Sequence, residues 1–145
     1  MKTNAKQHYN LLVSAITLVL CLLGNAVAAT SEPPPWSSVS RNGQFTISLG
    51  PQDGHVRINT LQSWVVTITD KFDRPVTNAR VLIDGGMRAH GHGLPTKPQI
   101  TQHLGEGRYL IEGMRLNMAG EWTLLIGVEL GGQRDIADFD FEIDY

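Results

Sequence analysis

The sequence predicts an all-β fold, an immunoglobulin-like antiparallel β-sandwich of about seven strands. Three observations lead there. Apolar residues recur at every second position in short runs between residue 44 and the C-terminal region. Gly, Pro, Asn and Asp break those runs at intervals of roughly 8–12 residues, the spacing of a sandwich. Beyond residue 30 no stretch has apolar residues at helical spacing.

The strands follow in order. Residues 44–49, QFTISL, alternate. In 61–69, Trp64, Val66 and Ile68 share a face; in 78–84, Ala79, Val81 and Ile83 do. Residues 99–104, QITQHL, alternate more weakly. In 107–113, Tyr109 and Ile111 oppose Arg108 and Glu112. In 121–130, Trp122, Leu124, Ile126 and Val128 share a face. In 133–143, Ala137, Phe139, Phe141 and Ile143 face inward, with Asp138, Asp140 and Glu142 outward. Period two buries one face and wets the other. Gly131-Gly132 joins the last two strands and suits a two-residue hairpin turn.

What precedes these strands reads as separate from them. Residues 1–29 have the three parts of a secretory signal peptide: Lys2 and Lys6, the uncharged run Leu11–Gly24, and Ala26-Val27-Ala28 for cleavage. The rival reading is an uncleaved inner-membrane anchor, since Leu11–Ala29 exceeds the lower limit of about 17 residues for a spanning helix. The expected location is the periplasm or outside the cell, with membrane attachment only if the segment stays on. Residues 30–43, opening with the Pro- and Ser-rich SEPPPWSS, read as a linker, and 44–145 as the β-domain.

Composition removes several functions. Cleavage would remove Cys21, the lone cysteine, and with it disulfides, thiolate metal sites and cysteine catalysis. It would leave ten basic against fourteen acidic residues, a net charge of −4, with no Lys/Arg run. A nucleic-acid partner is not expected. Nor is an enzyme: there is no G-x-S-x-G elbow, only Ser63 remains after Ser48, and Leu94 stands where an H-x-H-x-D zinc motif needs Asp.

Antiparallel order makes one end of the sandwich distinctive. The connections around 50–60, 85–98 and 114–120 should fall at the same end. They carry His55, then Met87, His90 and His92, then Met114 and Met118. Imidazole and thioether are the donors that select Cu(I) where thiolate is lacking. Glycines around His90 and His92 permit the turns that aim both rings at one point. Met87, His90, His92 and Met118 are therefore the candidate ligands, with copper, as Cu(I), ahead of zinc. Met114, which follows the Tyr109/Ile111 face, is expected in the core, and His55 and His103 on the surface. The bland alternative makes HGHGLP a structured loop of a non-catalytic protein-interaction module with no metal.

Three motifs lie in and around these connections: Met87, His90, His92, Gly93, Pro95, Thr96 and Pro98; then Gly107, Tyr109, Glu112 and Gly113; then Met118, Gly120 and Trp122. Together they resemble the YtkA-like/FixH-like family of small exported or membrane-anchored β-sandwich domains. The likeness runs from about Trp64 to Ile143. It implies a role around copper, because FixH-type members accompany cation-pump and copper-oxidase assembly. The implied partner is a copper-dependent oxidase or its assembly machinery.

Overall fold

The computed structural model describes residues 36–144. The leader expected over 1–29 and the opening of the linker lie outside them. Nine strands form two antiparallel sheets. They are β1 (Trp36–Val39), β2 (Phe45–Pro51), β3 (Gln62–Asp70), β4 (Arg80–Met87), β5 (His92–Gly93), β6 (Gln99–Gly105), β7 (Arg108–Met114), β8 (Gly120–Leu130) and β9 (Gln133–Ile143). One sheet runs β1-β2-β3-β7-β6 and the other β5-β4-β8-β9. The fold is the β-sandwich read from the sequence.

Period two does what it implied. Ile47, Leu49, Trp64, Val66, Ile68, Ile111, Leu124, Ile126 and Val128 are fully buried between the sheets. Each such side chain contributes about 1.5–3 kcal/mol of transfer free energy, against which the ordering of the chain must be set. Met114 joins this core, while His55 and His103 are exposed. At the β8–β9 hairpin, Leu130 pairs with Gln133, and Gly131 and Gly132 have φ of 57° and 80°. Two successive positive φ values are the requirement of that tight turn.

Two buried polar side chains tie the fold together through hydrogen bonds. The Tyr109 hydroxyl donates to the Val76 carbonyl oxygen at 2.7 Å and accepts from the Ala79 amide at 3.1 Å. It thereby ties β7 to the β3–β4 connection. Asp135, 2% exposed, accepts from the backbone amides of Asn42 (3.1 Å), Gln44 (3.4 Å) and Ile136 (2.9 Å). It fixes the β1–β2 turn against β9.

Two strands were not expected, and one runs longer than expected. Trp36–Val39, assigned to the 30–43 linker, is the edge strand β1, paired with β2 from Trp36↔Leu49 to Val39↔Thr46. Its Ser-rich composition suits an edge with one wet face. Its anchor is Trp36, stacked on Phe141 at 4.3 Å and on Trp64 at 5.4 Å between ring centroids. The strand expected over 78–84 continues through Gly85-Gly86 to Met87, and β5 then pairs back onto its end.

Candidate metal centre at one end of the sandwich

The three connections do meet. The amide of Asn59 donates to the Leu116 carbonyl oxygen at 2.7 Å, and Arg115 reaches the Asn59 side chain. The Thr96 hydroxyl donates to the Gly113 carbonyl oxygen at 2.7 Å. The β2–β3 loop is thus bonded to the β7–β8 loop, and the β5–β6 loop to the adjoining end of β7.

The histidines sit on a small hairpin. After Met87 the chain makes one 3-10 turn, Arg88–His90, and reverses at Gly91. Gly91 has φ 67° and its amide donates to the Arg88 carbonyl oxygen at 3.1 Å. This left-handed geometry favours glycine. Met87 then pairs with His92 and Gly86 with Gly93, and the Leu94 amide donates to the Gly85 carbonyl oxygen at 3.0 Å. Glycine is required at 86 by close approach: a β-carbon there would overlap the His92 carbonyl oxygen and lie 2.7 Å from the Gly93 Cα. The segment is an ordered reversal rather than the irregular loop its glycines imply.

The structure places each candidate ligand as follows. His90 and His92 are exposed, their ring centroids 6.0 Å apart. Two imidazoles on one ion have centroids roughly 5–6.5 Å apart, given metal–nitrogen bonds near 2 Å. The observed separation falls within that range. His92 Nδ1 lies 3.0 Å from the Gly93 carbonyl oxygen. A carbonyl only accepts, so this contact is made with Nδ1 protonated and leaves Nε2 as the ring nitrogen not engaged by it. That is the arrangement by which metal-binding histidines are commonly oriented.

Met87, expected in a loop, is 1% exposed because the longer β4 turns it into the core. Its methyl end lies 3.0 Å from where a β-carbon on Gly120 would stand, directly beneath the β7–β8 connection. Cross-strand partners share a face, so His92 stands beside Met87 at the mouth of the sandwich. Met118 is half-buried against the same core. His55 reaches this end of the molecule but is held within its own loop, Nδ1 2.8 Å from the Asp53 carbonyl oxygen. His103 lies on β6 against Tyr109, with ring centroids at 4.7 Å.

Among the described residues no three of His, Cys, Asp and Glu gather closely enough to hold a metal. Of the four candidate ligands, His90 and His92 are exposed, Met118 is half-buried and Met87 is buried. A cleft of about 230 Å³ opens beside His92, bordered by Asp84, Met87, Arg88, Gly91 and Thr123. Arg88, which lines this cleft, lies 4.0 Å from Asp138. Arg41, hydrogen-bonded to Asp138 at 2.8 Å and 2.7 Å, holds that carboxyl below its ordinary pKa; burial opposes the shift, and Arg88 adds to it.

Sequence reasoning treated Trp122 as packing alone. Its ring is 1% exposed, yet its indole N–H donates to the Met118 carbonyl oxygen at 3.1 Å, and its edge meets His92 at 6.1 Å between centroids. The four-residue interval between Met118 and Trp122 is the only sequence sign of that link. Thr96, which pins the neighbouring loop, is likewise recognisable only from the motif.

Neither a curated protein nor a solved structure matches the chain. The YtkA-like family pattern matches residues 38–127, from within β1 nearly to the end of β8, and so takes in the hairpin, the rim loops and Trp122. Over that span of fold and motif, the chain belongs to the YtkA-like family.

Proposed function

We propose that this protein is an exported accessory protein that binds Cu(I) at the rim and delivers it. His90 and His92 supply nitrogen, and half-buried Met118 and buried Met87 supply sulfur. Copper is the cargo, and the receiving partner is a copper-dependent oxidase or its assembly machinery. The observation that carries this reading is the His90–His92 ring separation of 6.0 Å, together with a hydrogen bond that leaves Nε2 of His92 free. Imidazole with thioether is a donor set suited to Cu(I) and poorly suited to Mg²⁺ or Ca²⁺.

The test is competition for Cu(I) between the protein and a chelator of known affinity. Changing His90→Ala and His92→Ala together is expected to weaken binding by roughly 100-fold or more, since loss of mere supporting groups around a metal already costs 10–100-fold. Thermal stability should hardly move, because both rings are exposed. Unchanged affinity would end the copper reading. The hairpin would then be the recognition loop of a metal-free interaction module, and a partner retained in the presence of chelator would mark it as such.

A further inference from the structure

We infer that Trp122 is a positioning residue that couples the imidazole and thioether halves of this rim and so favours Cu(I) over Zn²⁺. The inference rests on the copper reading and assigns a role to a residue outside the ligand set. One side chain contacts the backbone that carries Met118 and the ring of His92. The indole N–H holds the Met118 carbonyl oxygen at 3.1 Å, and the ring edge packs on His92 at 6.1 Å between centroids. Backbone pairing reinforces the link: Trp122 is locked to Phe141 in the β8–β9 register, and the adjoining Thr123 pairs with Gly86, next to Met87. Trp122 is rigid because it is buried. The Met118 backbone is therefore referenced to the same fixed ring that flanks His92.

The chemistry of the two metals makes this testable. Zn²⁺ takes nitrogen and oxygen in preference to thioether, so it uses the histidines and has little need of Met118. Cu(I) uses both. A residue that only maintains the fold would affect the two ions alike. A residue that sets the sulfur against the imidazole affects Cu(I) selectively.

Cu(I) and Zn²⁺ affinities would be measured by chelator competition on the full chain with its one thiol removed (Cys21→Ser) and, in that background, on W122F, M118L and W122F/M118L. W122F keeps an aromatic ring but lacks the N–H. It is expected to weaken Cu(I) roughly tenfold and to leave Zn²⁺ within about twofold. M118L should show the same selectivity, and the double variant should lose little more than M118L alone, as expected when one residue acts through the other. Equal weakening of both ions by W122F, or full additivity, would overturn the coupling. Should W122F fail to fold, the wild-type chain still decides: Cu(I) must shift the Trp122 indole N–H resonance, and no shift overturns the inference. The His90→Ala/His92→Ala variant separates the two failures. If that variant loses Cu(I) affinity while W122F keeps it, only the coupling is wrong. If neither loses affinity, the copper reading falls and the coupling with it.

Discussion

Replacing Asp135 with alanine is expected to destabilise the domain by about 3 kcal/mol, seen as a fall in melting temperature of roughly 10–15 °C. The carboxylate is buried at the foot of β9 and accepts from three backbone amides and from the Asn42 side-chain amide. Its removal leaves several of those donors without a partner, and each unsatisfied buried donor costs about 1–3 kcal/mol. Arg41 depends on the same turn: its amide donates to the Ile136 carbonyl oxygen at 2.8 Å. Loosening here should therefore free β1 as well.

The same group gives the protein an acid limit. Burial alone would raise the pKa of Asp135, but hydrogen bonds from the Ser40 hydroxyl and the Ile136, Asn42 and Gln44 amides outweigh it and bring the pKa below its ordinary value. A carboxyl depressed in the folded state stabilises fully above its unfolded pKa, and that stability is lost as pH falls through the folded value. The window thus opens near the ordinary Asp value of about 3.9 and extends below it. Denaturation in urea at pH 7 and at successively lower pH should show wild type losing stability in this window. D135N should start lower and fall less steeply. Some slope should persist in the variant, because Asp53, Asp70 and Asp138 are also depressed. Identical slopes in the two proteins would contradict this account of Asp135.

Gly86→Ala should have the second large effect, and it reaches the rim without altering a ligand side chain. The new methyl would collide with backbone atoms of His92 and Gly93, which cannot swing aside as a side chain can. Relief requires β5 to leave β4, at a cost of about 2–4 kcal/mol. Hydrogen exchange of the Leu94 amide, now bonded to the Gly85 carbonyl oxygen, should accelerate. His92 would lose its place beside Met87 and Trp122, and Cu(I) affinity should fall although all four candidate ligands remain. Normal Leu94 protection in G86A would show that β5 tolerates the methyl and that the glycine is not what holds the hairpin.

The contrast between β4 and the other long strands shows how much was legible. For β3, β7, β8 and β9, alternating apolar residues announced the strand, its inward face and its approximate limits, because burial of one face leaves that trace in composition. In β4 the trace stops at Asp84. Gly85 and Gly86 present no side chain to either face, so the alternation falls silent just where the strand continues. Met87 was consequently placed in a loop. β1 was missed for a related reason: a short edge strand with serines on its wet side resembles a linker, and its packing rests on the single anchor Trp36. The meeting of the three connections was legible because antiparallel order dictates which turns lie at which end. The partnership of Trp122 with Met118 and His92 was not, because a hydrogen bond to a backbone carbonyl leaves no pattern in side-chain chemistry.

The most direct test of a shared imidazole–thioether rim is X-ray absorption at the copper edge on the full chain carrying Cys21→Ser, which removes its one thiol, loaded with one equivalent of Cu(I). The account predicts a mixed first shell, with nitrogen showing the outer-ring scattering of imidazole and at least one sulfur at longer distance. A shell of light atoms alone, or of sulfur alone, would contradict it.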